Sequence, residues 1–412
     1  MSAIVSPVRT WLIGYPPYTE TNPRNRMKIG LIMVLFNLSP PVDRSQSASV
    51  NKIIIHVKRS TSQKYSQSNM TSLSTLPVQL SDVQAAAKRI LPHVIRTPVQ
   101  TCKAFDAMSK KNIYFKCENF QKGGAFKARG AHNAVFSVTA EQASKGVVTH
   151  SSGNHAQACA LAARARNVPA HIVMPNTAPQ VKKNAVRGYG ANVIECEPSE
   201  RAAKAAEIAN ETGGLLIHPS NDPRVIAGQG TVALEFLEQM TEIRNIIDGS
   251  QPLDVLVVPL GGGGLISGIC AAAKGLYPNV RIIAAEPSGA DDGYRSKQAG
   301  EILPHREGHP NTIGDGLCTI LGSNTFPFVR DCVEEIILVE ECEIAAGMRY
   351  VYERMKLVIE PSAGTGVATV LFSKRFREIV DDNSHVGVIL CGGNVDLMRM
   401  NEYMKMAEPM MK

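Results

Sequence analysis

The chain has 412 residues, 44% hydrophobic and 20% charged, which suits a soluble globular protein of two or three domains. Its net charge of +7 lies within residues 1–80, where nine Lys/Arg face only Glu20 and Asp43, so no basic patch for nucleic acid or an anionic membrane is expected on the rest. No apolar run reaches the roughly 18 residues of a membrane span, and nine cysteines without a C-x-x-C pair suit reduced thiols and no structural zinc.

Residues 1–78 sustain neither a helical nor a strand period. They are basic, rich in Ser, Pro, Thr and Asn, and interrupted by one strand-like run, KIIIHVK (52–58). Three readings compete: a transit peptide, a disordered tail, or an extension upstream of a start at Met70. The paucity of acids suits the first, and the missing amphipathic arginine helix does not. A cytoplasmic protein is expected, or a mitochondrial one if this segment is a transit peptide.

A helix is predicted from SDVQAAAKRIL, with Ser81 as its N-cap. Strands and helices then alternate. Strands are expected at 113–118, 146–150, 170–175, 191–196, 214–218, 255–260, 280–286, 335–339 and 386–391, with helices at 154–166, 179–188, 199–211, 224–240 and 265–276. The strands are short continuous apolar runs, as in sheets covered on both faces. The alternation predicts an α/β protein with mainly parallel sheets, whose ligands sit where strands run into helices.

Four such places carry unusual chemistry. In FQKGGAFKARG, Lys127 occupies the first turn of a predicted helix beside Phe126. The positive end of a helix and apolar neighbours both depress an amine pKa, which makes an imine-forming nucleophile. A surface lysine is the alternative for that stretch alone. THSSGNH gathers Ser151, Ser152, Gly153, Asn154 and His155 at a helix start, more polar groups than one N-cap needs, and suits a carboxylate or other anion. VVPLGGGGLISG puts Gly261, Gly262, Gly263 and Gly264 between a strand and a helix, where converging N–H groups suit a phosphate. It matches neither the Walker nor the dinucleotide fingerprint. CGGN, with Cys391 and Asn394, ends the last strand. A nucleophilic lysine and a phosphate cradle in one fold point to pyridoxal phosphate.

With these residues stand VIAGQGT, AEPSGADD and ERMKLVIEPSAG, in an order that resembles the serine racemase and serine/threonine dehydratase family, fold-type II pyridoxal-phosphate enzymes, over about residues 81–400. The resemblance implies a fold like the tryptophan synthase β chain, with two open twisted α/β domains: a large one from 79–145 and 225–405, and a small mobile one at 146–224. It makes Lys127 the lysine that carries the cofactor, with Phe126 beside the ring, Asn154 on the ring hydroxyl, and Cys391 facing the ring nitrogen. Gly261, Gly262, Gly263, Gly264 and the Leu265 N–H would hold the phosphate. Ser151, Ser152, Asn154 and His155 would surround the substrate carboxylate, and Arg201 joins that set. Ser152, where dehydratases usually have Ala, suits the racemase branch, with Lys127 and Ser152 as acid/base groups on opposite faces. Glu286, the Ala290 carbonyl and Asp292 would hold Mg²⁺ (or Ca²⁺ or Mn²⁺). Lys122 matches a contact for ATP, as an activator at the interface of a homodimer. Ala125 and Cys391 depart from the racemase pattern and keep a threonine or 3-hydroxyaspartate dehydratase in play.

Overall fold

The computed structural model describes residues 74–306, 308 and 310–411. Almost all of the basic N-terminal segment, with its strand-like run at 52–58, Trp11 and Met70, therefore lies outside the described residues.

Two sheets organise the chain. The larger has six strands in the order β1-β2-β10-β7-β8-β9, where β1 is Val99–Thr101, β2 Asn112–Cys117, β7 Val255–Pro259, β8 Arg281–Pro287, β9 Glu335–Val339 and β10 His385–Leu390. Only β1 is antiparallel to its neighbour. The smaller sheet is wholly parallel, in the order β5-β4-β3-β6, where β3 is Val147–His150, β4 Ala170–Pro175, β5 Asn192–Cys196 and β6 Leu215–Leu216. The α/β class and the parallel sheets follow the alternating pattern of the sequence.

The central strands bury Val255 to Val258, Ile282 to Ala285 and Val386 to Leu390 almost completely, because helices cover both faces. Helix Lys127–Phe136 supplies Ala131, Ala134 and Val135 to the hydrophobic cluster of the smaller sheet. Helix Pro223–Ile243 packs both on that helix and on helix Gly264–Leu276, where Gly230 and Gly268 let the two backbones meet.

Two local expectations are corrected. The first helix runs Leu80–Ile90 and its N-cap is Gln79, not Ser81, because the Asp82 carboxylate accepts the Gln79 backbone N–H at 2.8 Å. The strand expected at 214–218 shrinks to two residues, since the chain turns at His218, whose ring nitrogen accepts the N–H groups of Ser220 and Asn221. The short edge strand β1 has no counterpart among the expected elements.

Candidate active site

The cleft is built where the strands of both sheets run into their helices. It encloses about 730 Å³, and the residues that line it come from all four loops singled out in the sequence.

Lys127 opens its helix directly after the turn Lys122–Gly124. Ala125 pairs with Gly392, and the Phe126 N–H donates to the Cys391 carbonyl at 3.0 Å, so this entry is stitched to the end of β10. The Lys127 amine donates to the Pro219 carbonyl at 2.8 Å and lies 5.2 Å from the centre of the Phe126 ring. Burial pushes its pKa down to about 8, against the opposing pull of Cys159, Cys391 and Glu360. The depressed pKa agrees with the sequence reading, but burial is its main cause rather than the helix start.

Ser151, Ser152, Asn154, His155 and Arg201 all line the cleft. The polar cluster is not an elaborate cap: Gly153 is the N-cap of helix Asn154–Arg166, and no side chain caps it. The Ser151 hydroxyl accepts the Gly153 N–H at 3.3 Å, ahead of the helix. His155 is buried, and burial, together with the Lys127 charge, holds its imidazole neutral, well below its ordinary pKa.

Gly261, Gly262, Gly263, Gly264 and the buried Leu265 all line the cleft as the chain runs from the end of β7 into helix Gly264–Leu276. Gly263 is the N-cap of that helix at φ +81°, a left-handed conformation that favours glycine, and a Cβ there would lie 2.7 Å from Thr325 Cβ. A Cβ at Gly262 would sit 2.6 Å from the Ser220 hydroxyl, and that buried hydroxyl has no hydrogen-bond partner among the described residues. A close-packed glycine run beside an unsatisfied hydroxyl fits a phosphate, which needs N–H and O–H donors together. Cys391 lines the cleft just beyond β10; burial raises its pKa well above the ordinary thiol value, so it is neutral.

Sequence reasoning missed Glu360. It sits at the N-cap of helix Pro361–Phe372 and is 4% exposed, yet it lines the cleft. Burial pushes its pKa up to about 7, against the hydrogen bonds from Asn154. Its motif, ERMKLVIEPSAG, is legible, but an acid ahead of a proline reads as an ordinary helix entry.

Lys122 is exposed and does not line the cleft. Glu286, Ala290 and Asp292 are buried together at the end of β8, also apart from it. The Glu286 carboxylate accepts the N–H groups of Gly293 and Tyr294 at 2.9 and 2.8 Å. Asp292 lies 3.1 Å from His305 Nδ1, while its other oxygen has no partner among the described residues. Burial raises Glu286 well above the carboxylate range and Asp292 to about 6. Glu286 and Asp292 are oxygen donors of the kind a hard cation takes, but no cluster of three or more His, Cys, Asp or Glu is found among the described residues.

A sequence model of the family described as "Pyridoxal-phosphate dependent enzyme" matches residues 90–392. The chain belongs to this family. It is 50% identical over 319 residues to a protein of Arabidopsis thaliana named serine racemase, covering 76% of this chain and 92% of that one. It is 47% identical over 321 residues to the β-hydroxyaspartate dehydratase of Paracoccus denitrificans, covering 77% and 97%. Among solved structures, maize serine racemase superposes with a TM-score of 0.74 at 45% identity, covering 81% of this chain and 99% of that one. Membership in the pyridoxal-phosphate dependent enzyme family agrees with the glycine cradle and the buried amine of Lys127. No helix among the described residues is long and apolar enough to cross a membrane.

Proposed function

We propose that the protein is a serine racemase, interconverting L- and D-serine and also eliminating the β-hydroxyl of serine to give pyruvate and ammonia. The observation that carries this reading is that Lys127, with its depressed pKa, and Ser152 line one cleft with the glycine run. Bound pyridoxal phosphate supplies an electron sink that acidifies the Cα–H of an amino acid. Gly261, Gly262, Gly263 and Gly264, the Leu265 N–H and the Ser220 hydroxyl would hold its phosphate, Asn154 its ring hydroxyl, and Phe126 would lie beside its ring. Cys391, a neutral thiol, would face the ring nitrogen and would bring it no negative charge, giving a weaker electron sink.

The chain's own groups then divide the work. Ser151, Ser152, Asn154 and His155 would orient the substrate carboxylate. Lys127, which would also carry the cofactor, would take the Cα proton from one face, and the Ser152 hydroxyl would return one to the other. Closure of a small domain (146–224) on the large one (79–145 and 225–405) would exclude water from the carbanion. Glu286, the Ala290 carbonyl and Asp292 would hold Mg²⁺, Ca²⁺ or Mn²⁺. Exposed Lys122 would contact ATP in a cytoplasmic homodimer.

A dehydratase of threo-3-hydroxyaspartate is the second reading. Arg201 lines the same cleft and suits a second carboxylate, whereas Lys182 there is paired with Asp315 at 2.6 Å. Chiral analysis of product from L-serine, beside ammonia release from 3-hydroxyaspartate and L-threonine, separates the two. D-serine is the expected product. Pyruvate without D-serine sinks the racemase reading.

A further inference from the structure

Asn154 is held at both ends of its amide. Its Nδ2 donates to the two carboxylate oxygens of Glu360 at 2.9 and 3.0 Å. Its Oδ1 accepts from Asn394 Nδ2 at 2.8 Å, and the same Asn394 nitrogen donates to the Gly123 carbonyl at 2.7 Å.

An amide's orientation is inferred from its partners, so the partners that have no choice are decisive. A carboxyl group that carries a proton can donate as well as accept, so Glu360 alone does not fix Asn154. The Gly123 carbonyl can only accept. It therefore commits the amino group of Asn394, whose second hydrogen then meets Asn154 Oδ1. Asn154 is left with its amino group toward Glu360, whose two oxygens, at nearly equal distances, share one hydrogen of that nitrogen, and the other remains for the cleft.

The neighbouring backbone is shaped around this relay. Gly124 has φ +73°, and a Cβ there would collide with Asn394 Oδ1. A Cβ on Gly392 would collide with Glu360 Oε1. The two glycine pairs, 123–124 and 392–393, are also joined by a bond from the Gly393 N–H to the Gly124 carbonyl at 2.8 Å.

We infer that Asn394 is a positioning residue: relaying from the Gly123 carbonyl, it fixes Asn154 as an N–H donor, so that this wall of the cleft receives an oxyanion. The inference rests on the reading above in which Asn154 meets the ring hydroxyl of pyridoxal phosphate. It assigns that hydroxyl the acceptor's part.

The test uses the full chain loaded with pyridoxal phosphate, with borohydride trapping on Lys127 as the control. Asn394→Asp removes the donor at nearly constant shape, and Asn394→Ala removes it without adding charge. Both variants are expected to release the cofactor at least tenfold more readily and to shift its visible absorption, with Lys127 still trapped. In an Asn154→Ala background the Asn394 substitutions are expected to change neither quantity further, whereas a general loosening of the fold would add to it. Release and spectrum within twofold of the unaltered protein in both variants would overturn the relay, as would effects that add fully to those of Asn154→Ala. No trapping on Lys127 in the unaltered protein would instead overturn the cofactor reading, and the relay with it.

Discussion

The carboxylate of Glu360 accepts the Asn154 amide through both oxygens while itself buried beside the cleft. The residues are 206 positions apart, so the bond ties the entry of one helix to the N-terminus of another from the far end of the chain. A buried acid at such a junction makes stability depend on pH in an unusual sense.

The folded pKa of Glu360 is raised from 4.5 to about 7, mainly by burial and then by the Asp315 charge. Below pH 4.5 both states hold the proton. Between 4.5 and 7 the unfolded chain has lost it and the folded chain keeps it, so stability falls as pH rises. Above 7 the penalty is complete, at most about 3 kcal/mol. Glu360→Gln removes it. Urea titrations of the cofactor-free protein should show the variant gaining on the native chain as pH climbs from 5 to 8. A difference that stays constant with pH would contradict the assignment.

Lys127 should be unusually reactive for a lysine. The neutral amine is the nucleophile, and its pKa is lowered by burial from 10.5 to about 8. In the cofactor-free protein, acylation of Lys127 by an amine-directed reagent should reach half its maximal rate near pH 8, read by peptide mass spectrometry. A rate at Lys127 that keeps rising steeply above pH 9 would count against a depressed pKa.

Ser152→Ala should separate the two reactions. With Lys127 intact, elimination from L-serine needs no group on the other face, so pyruvate formation should stay within about tenfold. Racemisation loses its second acid/base group and should fall about 10²- to 10⁴-fold. D-serine as substrate should give almost no product, because its proton faces Ser152. Equal losses from both enantiomers would remove Ser152 from that role.

The glycine run and the SSGNH loop are legible in the sequence because each is a local strand–loop–helix unit, readable within about ten residues. Lys127 is legible for a partly different reason than the one that operates, since helix position can be read from sequence and burial cannot. Glu360 is not legible. The chain before it forms a π-helical turn at Val351–Met355 that breaks the apolar period, and its partner is remote in sequence. The edge strand β1 is hidden because one half-buried and two exposed residues carry no alternation. The small parallel sheet is clear at β4, and weak at β6, where His218 ends the strand early.

Arg129, two residues beyond Lys127, anchors that helix from behind the cleft. Its guanidinium makes a bidentate pair with Glu118 at 2.7 and 2.8 Å and a further bond to Glu235 at 2.9 Å. Lys116 reaches Glu235 at 2.6 Å, so two cations and two carboxylates share one site in which all but Glu235 are fully buried. Burial opposes the charge on Arg129, but Glu118 and Glu235 outweigh it and raise its pKa. Arg129→Met leaves the Glu118 carboxylate buried beside Thr97 without its cation, which should cost about 3–5 kcal/mol. Combining it with Glu118→Gln should recover part of that loss, because no unpaired charge then remains at this position. Denaturant midpoints of the two single variants and the double variant measure the coupling. Strict additivity would show that the pair does not act as a unit.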